Sequence, residues 1–348
     1  MNRQRYITIS FIFVMILSVA VASAQKRHTV VFYNMENFFD TINDPDINDE
    51  EFLPNGPKAW NTTKYTKKLQ NIERVLWGIC SKVRDYPTVI GISEIENRNV
   101  LEDLVVQGKL AMANYQICHY DSPDLRGIDV AFIYRPDRFE YEGSCTYPVR
   151  MEDNPDFRTR DIVVMWGKIE GEEFCFMVAH WPSRSGGAAA SEPKRMAAAR
   201  VMRHVADSVH TANPDCKIVM MGDLNDDPTD RSITEVLGCK ARIKDLQPGD
   251  LFNPYIAMLK AGYGTLAYND AWNIFDNIIV SENLATGSAG KLKLLRADGS
   301  KYYGNIFKAN YMIQQSGQYK GYPLRSFVGN AFQGGYSDHL PVYIFIGK

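Results

Sequence analysis

A chain of 348 residues that is 45% hydrophobic and 23% charged carries enough apolar material for a large buried core, which excludes a disordered or fibrous protein. Its formal net charge of −2 gives no general attraction for nucleic acid, so any polyanion site has to be a local patch. The six cysteines (Cys80, Cys118, Cys145, Cys175, Cys216 and Cys239) are widely spaced with no C-x-x-C, which excludes a zinc site of the usual spacing and leaves buried thiols and disulfides both open.

In chain order, Arg3 and Arg5 precede an apolar run over residues 7–22, and Ala22-Ser23-Ala24 fits a small-x-small cleavage site. Residues 1–24 therefore read as an export signal, and residues 25–348 as a secreted or periplasmic domain. The apolar run is marginal for a bilayer and no other segment is apolar enough, so no stable membrane association is expected after cleavage. Val-, Ile-, Phe- and Tyr-rich runs predict strands at 29–33, 88–92, 130–134, 161–169, 174–179, 217–221, 277–280 and 341–346. Between them, Tyr65, Leu69, Ile72, Leu76 and Ile79 at three- and four-residue spacing predict a helix at 63–82. A second helix is predicted at 192–210, capped by Ser191 with Pro193 in its first turn and Met196, Ala199, Met202, Val205 and Val209 on its apolar face. Residues 36–51 are acid-rich and read as a solvated loop, whereas 284–336 are rich in Gly, Tyr, Phe, Lys and Arg without period. One unbroken alternation, with no repeat and no long linker, argues a single α/β domain, expected as a monomer.

The chemistry sits where apolar runs end. Val-Val-Phe-Tyr ends at Asn34, Val-Ile-Gly-Ile-Ser at Glu94, and Phe-Met-Val-Ala leads into His180. Ile-Val-Met-Met-Gly leads into Asp223-Leu224-Asn225, and a Tyr336-Ser337-Asp338-His339 corner precedes the last strand. Taken singly, each has a plain explanation as a turn former, a helix cap or a surface histidine. Five polar groups at successive strand ends are different, because strand ends are where α/β sheets hold ligands and rigid strands keep a site in register. A hard cation, Mg²⁺ with Mn²⁺ or Ca²⁺ as alternatives, takes oxygen ligands, which Glu94, Asp338 and the amide oxygen of Asn34 supply. Phosphate-ester cleavage needs an in-line water, which Asp223 orients, and donors to the phosphoryl oxygens, for which Asn225, His180 and His339 stand. Asp276, if buried beside His339, fixes its tautomer and keeps it basic.

The motifs Phe32-Tyr33-Asn34, Ile92-Ser93-Glu94, Ala179-His180-Trp181, Gly222-Asp223-Leu224-Asn225, Phe275-Asp276-Asn277 and Ser337-Asp338-His339-Leu340-Pro341 resemble, in that order, those of the endonuclease/exonuclease/phosphatase superfamily. Within it the chain looks most like a bacterial secreted nuclease-like branch. The resemblance implies an α/β four-layer sandwich, two packed mixed β-sheets flanked by helices, with the site at one rim. It also implies Glu94 as main metal ligand, an Asp276–His339 pair, and Arg160 as a phosphate contact. Where many members carry a tyrosine, this chain has Arg126-Gly127-Ile128-Asp129. Arg126 then stands either as a replacement phosphate contact or as a loop arginine, and Asp129 as a brace for His180. Glu36 and Asn37 either line the metal site or cap a turn, the turn being favoured.

The substrate is the least legible feature. Residues 284–336 hold Lys291, Lys293, Arg296, Lys301, Lys308, Lys320 and Arg325 against Asp298 alone, with Tyr302, Tyr303, Phe307, Tyr311, Tyr319 and Tyr322 interleaved. Cations among stacking platforms suit a nucleic-acid substrate, DNA or RNA. Equally, such tyrosines pack a long loop onto a domain. A small-molecule or lipid phosphate ester is the alternative, supported by the acid-rich 36–51 segment, and a non-catalytic binder is disfavoured because the constellation is intact.

Overall fold

The computed structural model describes residues 27–348, so the export signal expected at 1–24 lies outside the described residues. The chain runs through β1 (His28–Phe38), α1 (Thr62–Val83), β2 (Val89–Ile95), α2 (Arg98–Val105), β3 (Gln116–His119) and β4 (Asp129–Tyr134). The second quarter of elements is β5 (Glu140–Tyr147), β6 (Ile162–Ile169), β7 (Glu172–His180), α3 (Ala188–Ala212) and β8 (Lys217–Asp223). Short strands follow: β9 (Cys239–Lys240), β10 (Leu251–Phe252), β11 (Leu266–Tyr268) and β12 (Ala271–Asn273). The last are β13 (Asp276–Ser281), β14 (Lys293–Leu295), β15 (Asn305–Ile306), β16 (Phe327–Val328), β17 (Ala331–Phe332) and β18 (Val342–Gly347).

Two mixed sheets of seven strands result. The first has the order β14-β18-β1-β2-β4-β3 with β15 also on β18, and the second β5-β6-β7-β8-β13-β10-β9. The pairs β1·β2 and β7·β8 are parallel, whereas β18 and β13 run antiparallel to β1 and β8. Strand periodicity explains the layers. Val30 and Phe32 of β1, Val130 and Phe132 of β4, Phe174, Phe176 and Val178 of β7, and Ile344 of β18 meet in the core between the sheets. The alternate residues Val31, Tyr33, Ile90, Ile133 and Tyr343 pack against Ile72, Val75 and Ile79 of α1 and Leu101 and Leu104 of α2. On the other side Cys175, Met177, Ile218 and Met220 pack against Ala198, Met202 and Val205 of α3. The outcome is the four-layer sandwich, with strands buried on both faces.

Three expectations change. The helix expected at 192 begins at Ala188, because the run Ala188-Ala189-Ala190 favours helix and Gly187, at φ 107, ends the preceding loop. Ser191 is thus no cap; its hydroxyl donates back to the Gly187 carbonyl at 2.7 Å, and Pro193 lies inside the helix. The edge strand β5 had no apolar alternation to announce it, since half-exposed residues dominate it. Residues 36–51 are not uniformly solvated either: Glu36 and Asp49 are buried. All six cysteines are free thiols. Among the described residues, no helix is long and apolar enough to cross a membrane.

Candidate active site

Register assembles the site. Asn34 pairs with Ser93 on β2, next to Glu94, at one end of the first sheet. On the second sheet His180 pairs with Asp223, and Asp223 with Asp276, so three polar residues stand side by side on neighbouring strands. Gly222, which precedes Asp223, lies against Ala179 so closely that an added Cβ would sit 2.1 Å from its carbonyl oxygen. The corner at 336–339 closes the gap between the sheets. There the Ser337 hydroxyl donates to the Asn34 carbonyl (2.7 Å) and accepts from the His339 N–H (3.0 Å).

The backbone is strained here. Glu36, Asn37, Glu94 and Asn225 all adopt left-handed φ of 50°, 51°, 59° and 50°, and β-bulges interrupt β1 between Asn34 and Phe38 and β2 between Ser93 and Ile95. Left-handed non-glycine residues cost free energy and persist where the surroundings force them; bulges re-aim side chains out of the pleat.

The side chains converge. Asn34 Nδ2 donates to Asp223 Oδ2 (3.0 Å) and Glu94 Oε1 (3.3 Å), and the Asn37 N–H donates to Glu94 Oε2 (2.9 Å). His180 Nε2 lies 3.5 Å from Asp223 Oδ2 and 3.8 Å from Glu94 Oε1. His339 Nδ1 is 2.8 Å from Asp276 Oδ2, and its Nε2 is 3.7 Å from Asp223 Oδ2. Asn225 holds Asp223 through its own N–H (3.0 Å) and anchors to the Trp181 carbonyl through Nδ2 (2.8 Å).

One expected contact is corrected, and the partners of three other residues are fixed. The amide oxygen of Asn34 accepts the Glu36 N–H at 2.8 Å, and the amide nitrogen faces the carboxylates of Glu94 and Asp223. Asp129 does not brace His180. It binds His119 Nε2 (3.0 Å) and Ser122, while His180 Nδ1 is buried with no hydrogen-bond partner among the described residues. Arg160 is buried and committed to the Asp124 carboxylate (2.9 Å) and the carbonyls of His180 (3.1 Å) and Trp181 (2.9 Å). Its geometry braces the strand end. Arg126 is the opposite case, exposed at the rim with Nη2 2.6 Å from Asn37 Oδ1.

One residue that the sequence did not mark, Lys68, joins the site together with Glu36 and Arg325. Lys68 of α1 is buried and donates to Ser326 Oγ (2.6 Å) and the Tyr336 carbonyl (2.8 Å), 3.7 Å from Glu36. Arg325 bridges Asp338 (2.6 Å) and Glu36 (3.3 Å). Glu36 also accepts the Ser326 N–H at 2.6 Å. A signal for Lys68 did exist: it lies four residues before Ile72, on the apolar stripe of the helix.

Electrostatics divide the roles. Burial pushes the Asp223 carboxyl up to about 7, with His339 opposing and Asp276 adding to the rise. Burial alone would lower His339, but Asp276 and Asp223 carry it well above the ordinary imidazole value, so it is charged. His180 is held well below that value by burial and by Arg160 and Arg126, so it is neutral. Burial and Asp338 raise Glu36 although Lys68 and Arg325 lie beside it. The pocket thus gathers the carboxyls of Glu36, Asp223, Asp276 and Asp338 around Lys68, Arg325 and His339. Carboxylate oxygens fit a hard divalent cation, with Glu94 and Asp338 as its holders. A separate rim group, His119, Asp121 and Asp129, brings three possible ligand atoms within 4.8 Å of one another.

The motif for the endonuclease/exonuclease/phosphatase family matches residues 29–348, nearly the whole described chain. The chain belongs to that family. Its members are metal-dependent phosphoesterases, and so is this chain. No match emerges among curated proteins. Solved structures share the fold: D. rerio TDP2 complexed with single-strand DNA product is 13% identical, with 92% of this chain and 99% of that one covered at TM-score 0.55. The human Nocturnin catalytic domain with bound sulfate is 14% identical over 92% and 94%, at TM-score 0.51. A Bacteroides thetaiotaomicron mannosyl-6-phosphatase is 15% identical over 92% and 100%, at TM-score 0.52.

Proposed function

We propose that this phosphoesterase is exported and hydrolyses compact phosphate esters, with a polynucleotide as the second reading. The carrying observation is where the basic residues of 284–336 lie. Lys293 pairs with Gly347, at the end of β18 opposite His339, and Lys291 adjoins it. Arg296, Lys301 and Lys308 lie over the rings of Tyr303, Tyr302 and Trp272. Tyr302 and Tyr303 pack onto the core between the sheets, and Phe307 and Tyr311 onto the helical side. Of the seven cations, Arg325 alone contacts a site residue, and it is paired with two carboxylates. A polyanion track needs a row of free cations.

In the reaction, Asp223, near neutrality, orients and deprotonates a water. His339, charged and fixed by Asp276, donates from Nε2 to a phosphoryl oxygen or the leaving oxygen. Neutral His180 and the remaining amide hydrogen of Asn225 complete the donors. A divalent ion held by Glu94 and Asp338 supplies neutralisation of the phosphoryl oxygens. The nuclease reading rests on Arg126 and Arg325, two exposed cations at the rim beside Asn37 and Asp338. Purified residues 25–348 with Mg²⁺ or Mn²⁺ decide between them: turnover of small phosphate esters exceeding that of plasmid and oligonucleotides supports the first. Cleavage of nucleic acid alone refutes it.

A further inference from the structure

A groove of about 1030 Å³ runs from Asp338 between the β11–β12 hairpin, the 314–325 segment and the β16–β17 hairpin. That is the upper end of the roughly 300–1,000 Å³ typical of small-ligand sites. Its four ionised side chains balance and are already engaged: Arg184 with Asp230 and Asp226, Arg325 with Asp338 and Glu36, Asp270 with Tyr322. What it offers a ligand is neutral. Tyr268 and Tyr319 are 70% and 43% exposed, and Asn269 and Gln318 are exposed too. The side chains of these four make no hydrogen bond among the described residues. Asn269 and Asp270, at φ 48° and 60°, form the two-residue turn that holds the hairpin tip over the groove.

Amides and phenols both donate and accept, as a sugar hydroxyl requires of its partner, and aromatic faces suit the C–H face of a sugar ring. We propose that the groove binds the carbohydrate part of a phosphorylated glycan, with room for more than one ring, and presents its phosphate to the catalytic centre beside Asp338. This rests on the compact-ester reading above. A polynucleotide would need free cations here, and the groove has none.

The test measures hydrolysis of a hexose 6-phosphate, a disaccharide bearing the same 6-phosphate, p-nitrophenyl phosphate and a single-stranded oligonucleotide. Wild type is compared with Tyr319→Ala, Tyr268→Ala and Gln318→Ala, all exposed positions. Expected are the highest kcat/KM for the phosphorylated disaccharide, about a tenfold rise in its KM in the variants with kcat kept, and unchanged p-nitrophenyl phosphate turnover. Turnover of p-nitrophenyl phosphate without either sugar phosphate overturns the glycan assignment and leaves the compact-ester reading standing, as does sugar turnover with KM unmoved in all three variants. Cleavage of the oligonucleotide alone overturns both.

Discussion

Asp276→Asn isolates what the buried partner of His339 contributes. The two side chains are 1% and 8% exposed and 2.8 Å apart, and Asp276 is the charge that does most to lift His339 against its own burial. Asparagine keeps the volume and removes the charge. Removing one partner of a buried ion pair costs about 3–5 kcal/mol. If most of that is felt where His339 must carry a proton onto the phosphoryl group, kcat falls roughly 10²- to 10³-fold, at ~1.36 kcal/mol per decade. The pH profile shifts with a definite sign. In the wild type, the raised value keeps His339 protonated through neutrality. Without Asp276, burial pulls its titration downward, and activity declines as pH rises from about 6 to 8. Steady-state hydrolysis of bis-p-nitrophenyl phosphate with Mn²⁺, with circular dichroism to check the fold, measures both effects. A folded Asp276→Asn enzyme within threefold of wild type at every pH would refute the pairing argument.

Asp223→Asn should abolish turnover yet stabilise the chelated protein above neutrality. Its carboxyl titrates at about 7 in the fold against ~3.9 in an unfolded chain, so the folded state holds the extra proton. Its contribution is full below about pH 4 and is lost as pH rises through about 7. A variant melting a few degrees higher at pH 8 in EDTA is expected; a lower melting temperature there counts against it. Gly222→Ala drives a Cβ to 2.1 Å from the Ala179 carbonyl oxygen, and denaturant unfolding should show a loss of about 1–3 kcal/mol. A neutral result would mean that the strands separate freely at this point. Arg160→Met should lower the melting temperature and kcat together by releasing the His180 and Trp181 carbonyls. Arg126→Ala, at the exposed rim, should raise KM at unchanged stability, and the reverse ranking would reassign the two arginines.

The amino-acid order alone announced the long strands buried on both faces, because each leaves an apolar run with a polar residue at or near its end, but not the edge strands β3 and β5 or the continuation of β1 to Phe38. Asn34, Glu94, His180, Asp223 and His339 were legible for that reason, and α1 through its stripe. Apart from the Asp276–His339 pair that the family resemblance implied, partnership was not legible, since it depends on strand register between residues far apart in the chain. Register alone puts Asp276 on one side of Asp223 and His180 on the other. Arg160 and Arg126 look alike as sequence, yet one is buried against backbone carbonyls and the other is open at the rim. Glu36 read as loop, turn cap or metal-site residue until the 325–336 segment folds over it and over Lys68, which the sequence did not mark. The basic cluster of 284–336 is a cluster only along the chain. Folding spreads it from the rim at Arg325 to the opposite end of β18, because backbone direction, not composition, sets where each charge lands.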